Sequence, residues 1–271
     1  MSRSYLFIPG NTPSMIQNLD VFESDSIIID LEDSVILNDK DAARILVSNF
    51  LEKYQFENTD IYIRINSEDS LYFMEDVKIT NDLPIKGYVL PKAMPLSVDR
   101  LSELTDKAII PIIESPKAFL QAEEIASKKQ VTALLLGAED FTKELGINRT
   151  VLGTEILYVR SRLAIICNAY QIDCIDTPFT MKDNPEGLLQ DCNNAKNLGL
   201  TSKCSIHPNH VDTINSVFAP NQEEIIQSLR IVTKADKEQK GAFSLDGKMV
   251  DAPIIEKAKK VLEKAKKYNL V

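Results

Sequence analysis

The chain is poor in histidine, with two in 271 residues, and its four cysteines (Cys167, Cys174, Cys192 and Cys204) are scattered without a CxxC pair. The first scarcity argues against a histidine-built zinc or iron site, and the second against zinc held through sulfur. The N-terminus, MSRSYLFIPGN, has no apolar leader, so the thiols read as reduced groups of a cytoplasmic protein. No uninterrupted apolar run approaches the roughly 18 residues of a membrane span, and a soluble chain is expected. Basic charge is also short. Against 40 Asp and Glu stand 31 Lys and Arg, a net charge of −9, which argues against nucleic acid or an anionic membrane as partner. Neither a GxGxxG nor a GxxxxGKS/T motif occurs, which counts against dinucleotide or ATP chemistry.

What is present is a series of short apolar or β-branched runs bounded by turn residues. They are YLFIPG (5–10), SIIIDLED (26–33), DIYIRIN (60–66), GYVLPKA (87–93), AIIPIIES (108–115), ALLLGAED (133–140), IDCIDTPF (172–179) and SKCSIHP (202–208). Segments of helical periodicity lie between them, such as SPKAFLQAEEIASKK, which opens on Ser115 and Pro116 and closes on lysines. Strands alternating with helices imply βαβ units and a parallel sheet. Eight units predict an α/β fold of the (β/α)8 barrel type, which commonly takes about 250 residues; a doubly wound open sheet is the runner-up.

In a barrel the C-terminal ends of the strands face one mouth, where active sites are built. Those ends carry Asn11; Asp30, Glu32 and Asp33; Arg64; Lys92; Glu114; Glu139 and Asp140; Asp176; and His207. Any one of these acids is explained by loop polarity or helix capping. The arrival of DLED, IRIN, IIES and GAED on one rim is not. Crowded carboxylates must take up protons or a cation, and oxygen-only ligands favour Mg²⁺ or Mn²⁺. Glu114 and Asp140 are the first candidates as ligands, with Glu32 and Asp33 orienting water around them. Arg64 suits a bidentate carboxylate on a small anionic substrate, or else a structural ion pair with Asp30 or Glu32. Pro9, Gly10 and Asn11 of FIPGN and Gly137 of LGAED bring backbone amides towards the mouth.

The C-terminal piece reads differently. FSL and KMV flank Asp246 and Gly247, a two-residue hairpin signal, and an amphipathic helix follows Asp251 with the stripe Ile254, Ile255, Ala258, Val261 and Leu262. Asp251 is a helix N-cap on the plain reading; on the functional one it is an acid carried over a mouth by a lid. The expected organisation is a catalytic barrel over residues 1–238 and a C-terminal lid and oligomerisation extension over 239–271.

Taken in order, RSYLFIPGN (3–11), DSIIIDLEDSV (25–35), KDAAR (40–44), IRIN (63–66), LPKA (90–93), IIESPKA (112–118), LLLGAEDF (135–141) and FSLDGKMVDAPII (243–255) resemble the citrate lyase β-subunit-like family of the HpcH/HpaI aldolase superfamily. The resemblance implies a Mg²⁺-dependent barrel lyase, with Mn²⁺ as an alternative metal. Such an enzyme breaks a carbon–carbon bond of a citryl, citramalyl or malyl thioester to give an acetyl thioester and a 2-keto acid. It further implies that Glu114 and Asp140 are metal ligands and that Arg64 binds the keto acid. Glu32 and Asp33 match outer acids, Gly137 and Ala138 the turn that meets the substrate carboxylate, and Asp251 an acid/base brought from an adjacent subunit. The implied partners are an acyl-CoA or carrier-protein thioester and other copies of the chain, a trimer favoured. A thioesterase on the same scaffold and a complex-bound subunit are the alternatives. Two departures stand out. SIHPNH carries His207 where many relatives have Asn, and YFMEDVKITNDLPIKG shows no strong match.

Overall fold

In the computed structural model, which describes residues 2–54, 56, 59–238 and 242–271, the eight expected runs form eight parallel strands. These are β1 (Ser4–Pro9), β2 (Ser26–Asp30), β3 (Asp60–Arg64), β4 (Gly87–Leu90), β5 (Ala108–Ile113), β6 (Ala133–Leu136), β7 (Asp173–Asp176) and β8 (Ser202–Ser205). Each pairs with the next, and β1 closes on β8, so the sheet is a complete barrel with no open edge and not the doubly wound alternative.

The strand period of two explains what fills the barrel and what crowns it. Tyr5, Ile28, Tyr62, Ile112, Leu135, Ile175 and Cys204 pack together as the interior. Two residues further along come Phe7, Asp30 and Arg64, still within β1, β2 and β3, and Glu114, Gly137, Thr177 and Ile206, each one residue past the end of β5, β6, β7 and β8; all seven line one cavity. The apolar layer therefore seals the floor beneath the side chains at the mouth.

The strands are shorter than their sequence runs suggest. β6 ends at Leu136, Gly137 is the N-cap, and Ala138–Glu144 is helical, so Glu139 and Asp140 lie in a first helical turn and not on a strand. Carboxylates are favoured there by the helix dipole. The SPKAFLQAEEIASKK segment is divided at Gln121 into helices Pro116–Leu120 and Ala122–Ala126, and Ser115 caps the first by accepting from the Ala118 amide at 3.0 Å. YFMEDVKITNDLPIKG contains the helix Phe73–Thr80.

The chain divides into two compact units, Met1–Asn215 and Ser216–Val271. The second contains the helix Gln222–Glu238, the antiparallel pair β9 (Ala242–Leu245) and β10 (Lys248–Asp251), and the helix Ala252–Lys267. Helix Gln222–Glu238 thus belongs with the hairpin, although the sequence assigned it to the barrel domain; residues 239–241, where the expected extension begins, lie outside the described residues. Asp246 and Gly247 both have positive φ, 51° and 76°, as a type I′ turn requires. Ile231, Phe243, Val250 and Ala258 form this unit's own small core.

Candidate active site

A cavity of about 470 Å³ opens at the C-terminal end of the barrel, lined by Phe7, Pro9, Asp30, Asp33, Arg64, Ile112, Glu114, Leu135, Gly137, Ala138, Glu139, Asp140, Thr177 and Ile206, among others. Arg64 is its fixed cation. The Nε and Nη2 groups donate to the two oxygens of Asp30 at 2.7 Å each, and the guanidinium lies 5.1 Å from the Phe7 ring centre. Nη1 is 3.2 Å from Glu32 Oε2 and 3.6 Å from Asp33 Oδ2. The ion pair read for Arg64 is thus formed, and the same guanidinium also lines the cavity. Asp30 also accepts from the amides of Glu32 (2.8 Å) and Ser34 (3.0 Å). Burial alone would push Asp30 up, but Arg64 and these amides outweigh it and hold the carboxyl below its usual range.

Two acids behave in the opposite way. Glu32 and Glu114 are each pushed up to about 7, chiefly by burial. Arg64 pulls Glu32 down, while Asp33 and Glu114 push it up. For Glu114, which is 8% exposed, the Lys92 amide favours the charged form and the charge of Asp140 opposes it. Asp140 has a half-exposed side chain, 3.7 Å from Lys143. A buried carboxylate that is costly to ionise, beside a second carboxylate on the same cavity wall, is a donor set that a hard divalent cation would relieve. Among the described residues no cluster of three or more His, Cys, Asp or Glu could hold a metal. Glu114 and Asp140 would serve a divalent cation as a pair of carboxylates, the number that Mg²⁺ commonly takes alongside water and substrate oxygens.

Gly137 is required by close approach, not by its torsion, since its φ is −93°. A Cβ there would lie 2.6 Å from the Glu114 Cβ and 2.8 Å from Ile112 Cγ2. Its amide bonds the Ile113 carbonyl at 3.1 Å, and the Ala138 amide donates to Thr177 Oγ1 at 3.3 Å. The two amides expected to greet a substrate thus already have partners within the protein. Of the FIPGN residues, Pro9 lines the cavity, whereas Gly10 bonds the Asp30 carbonyl at 2.8 Å and Asn11 accepts from Thr12 Oγ1 at 3.4 Å. Asp251 caps the helix Ala252–Lys267, accepting from the Ile254 amide at 3.3 Å, in the second unit.

Two expected rim residues have other roles. Asp176 is fully buried, bonded to Arg160 at 2.8 Å and to Lys203 Nζ at 2.6 Å, and Asp191 completes this four-ion network. His207 lies outside the cavity wall, its ring 5.2 Å from that of His210. The residues missed were Lys40, Thr177 and Lys203. The buried Lys40 ammonium donates to the carbonyls of Leu31 (2.8 Å) and Glu32 (2.6 Å), which pins the DLED loop. Lys203 Nζ also holds the Thr177 carbonyl at 2.6 Å. The pattern KDAAR was visible, but nothing in its spacing says which carbonyls Lys40 reaches.

The family model for HpcH/HpaI aldolase/citrate lyase matches residues 3–208. The chain belongs to this family. Citrate lyase subunit beta of Haemophilus influenzae is 34% identical, over 98% of this chain and 97% of that protein. The mitochondrial citramalyl-CoA lyase of Rattus norvegicus is 25% identical, over 96% and 85%. The family's barrel is also seen in the crystal structure of protein CitE from Mycobacterium tuberculosis in complex with magnesium, acetoacetate and coenzyme A. That chain superimposes with a TM-score of 0.82 at 25% identity, covering 97% of both chains. Like its named relatives, the chain is a lyase. Among the described residues, no helix is long and apolar enough to cross a membrane.

Proposed function

We propose that the protein is a Mg²⁺-dependent lyase that cleaves a 3-hydroxyacyl thioester (citryl, citramalyl or malyl) into an acetyl thioester and a 2-keto acid, in the cytoplasm. The observation that carries this reading is the juxtaposition, in one cavity, of Arg64 locked by Asp30 with the strained acid pair Glu114 and Asp140. Relatives that carry the names citrate lyase and citramalyl-CoA lyase, and the complex of CitE with magnesium and coenzyme A, support the bond type and the metal. They leave the acyl group open.

Glu114 and Asp140 fit Mg²⁺, which commonly takes one or two carboxylates and keeps its remaining sites for water and substrate. When bound there, the ion supplies Lewis-acid polarisation of the hydroxyl and carboxylate oxygens of the substrate. Arg64 receives the substrate carboxylate, and Asp30 fixes the plane of the guanidinium so that the breaking bond is held in one orientation. Phe7, Ile112, Leu135 and Ile206 exclude water from the reacting carbons. The 3-hydroxyl passes its proton to water held by Glu32 and Asp33 and becomes the ketone. The electron pair of the broken bond passes to the thioester α-carbon, which then accepts a proton. Asp251 is the assigned donor, brought to the cavity by the lid of a neighbouring copy in a homo-oligomer, with a trimer favoured. Glu32 and Asp33 orient water beside Arg64.

The test is release of keto acid and free CoA from malyl-, citramalyl- and citryl-CoA, with Mg²⁺ and with EDTA. Metal-dependent keto acid together with acetyl-CoA supports the lyase and names its substrate. Free CoA without keto acid makes the protein a thioesterase. Inactivity on all three, with activity on a carrier-protein thioester, makes it the subunit of a complex.

A further inference from the structure

Lys92 follows β4 in LPKA with φ of +49°, in the left-handed region that residues with a Cβ rarely adopt. Such strain persists where the surroundings over-determine it, and functional sites are where it collects. Among the described barrel residues, the two other non-glycine positions with positive φ, Glu23 and Gln171, follow helical segments, where a left-handed residue is an ordinary ending. Lys92 instead follows a barrel strand, and its backbone amide donates to Glu114 Oε1. The other oxygen, Oε2, lies on the Gly137 side, where an added Cβ would come within 3.0 Å of it. One backbone therefore grips one oxygen of Glu114, while the missing side chain of the next strand's turn leaves room for the other. The ammonium contributes less to this arrangement: the Lys92 side chain is 62% exposed and its Nζ is 3.7 Å from Glu32 Oε1.

We propose that Lys92 is a positioning residue for Glu114: its left-handed backbone turns the amide onto Oε1 and leaves Oε2 to face a divalent cation in the cavity. A ligand whose rotamer is fixed beforehand loses less freedom when the ion arrives. The proposal rests on the reading of Glu114 and Asp140 as the metal pair.

The test uses the metal alone, as Mn²⁺ titrated into the full chain without thioester and read by electron paramagnetic resonance. Lys92→Gly keeps the amide and adopts positive φ without strain, so its Mn²⁺ affinity should stay within about twofold of wild type. Lys92→Val disfavours the left-handed region and should bind about tenfold or more weakly. Equal binding by wild type and Lys92→Val overturns the proposal. An equal loss in Lys92→Gly and Lys92→Val assigns the effect to the ammonium and also overturns it. Because valine here can hinder folding, the wild-type Lys92 amide is also read by ¹⁵N-lysine NMR. Its proton should be strongly downfield and should move on Mg²⁺ addition, and an ordinary shift indifferent to Mg²⁺ counts against the assignment. Failure of wild type itself to bind Mn²⁺ removes the metal reading and this proposal together, whereas metal binding that ignores residue 92 removes only the proposal.

Discussion

Replacing Gly137 by alanine adds one methyl group at the point where β6 turns towards the cavity, and the outcome can be worked from distances. The new Cβ would sit 2.6 Å from the Glu114 Cβ, 2.8 Å from Ile112 Cγ2 and 3.0 Å from Glu114 Oε2. Carbon atoms prefer about 3.5–4.0 Å, so relief needs a movement of about 1 Å. Neither neighbour is a free side-chain end: the Glu114 Cβ is fixed by its backbone and Ile112 belongs to the packed barrel interior. Overpacking of this kind costs about 1–3 kcal/mol, and a displacement of about 1 Å at a reacting centre costs about a hundredfold in rate. Gly137→Ala should therefore lower kcat/KM for keto-acid release by about a hundredfold while the protein still folds, with a Tm lower by about 2–4 °C per kcal/mol lost. The assay pairs keto-acid release with thermal unfolding of the same preparation. Activity within about threefold of wild type would refute the reasoning, because it would mean that Glu114 can shift by an ångström without consequence.

Arg64→Lys keeps the charge but loses the two-pronged grip of Asp30, so kcat/KM should fall by about a hundredfold with a raised keto-acid KM in the condensing direction. Asp251→Asn retains an N-cap for the last helix and should leave stability within about 0.5 kcal/mol while abolishing turnover; mixing it with Arg64→Ala should restore part of the activity if neighbouring copies share the site, as subunit-exchange assays will read. Lys203→Met leaves Asp176 and Asp191 facing Arg160 alone, and chemical denaturation should show a loss of about 3–5 kcal/mol. For pH, Glu32 and Glu114 lie near 7 in the folded protein against an ordinary value of 4.5, so they favour folding fully below pH 4.5, and that contribution is lost as pH rises through 7. Metal binding runs the other way: below about pH 7 a proton competes for Glu114, and Mg²⁺ affinity should fall by about tenfold per pH unit, seen as a shrinking Mg²⁺-induced rise in Tm.

The barrel was legible because each strand is a short apolar run and the period of two carries the same face from Tyr62 to Arg64 and from Ile112 to Glu114. The hairpin was legible because Asp-Gly demands a turn that only a few residue pairs accept. Errors arose where a local pattern has two physical outcomes. Asp176 ends a strand as Asp30 does, yet its partners Arg160, Asp191 and Lys203 come from elsewhere in the chain and draw it into the interior instead of the mouth. The strand runs were read too long because polar residues after a strand look alike whether they begin a loop or, as with Glu139 and Asp140, a helix. The backbone of Lys92 was not legible at all, since no lysine announces a left-handed φ. Lys40 was seen only as part of a motif, because its two carbonyl partners become known only when the DLED loop folds back over it.

The central claim is that Arg64 and a cation on Glu114 and Asp140 bind one keto acid between them. Calorimetric titration of pyruvate and of oxaloacetate into the wild-type protein, with Mg²⁺ and with EDTA, and into Arg64→Met with Mg²⁺, tests it most directly. The account predicts heat of binding for at least one keto acid in wild type with Mg²⁺, and none with EDTA or in Arg64→Met. Binding that survives EDTA or the loss of Arg64 would contradict it.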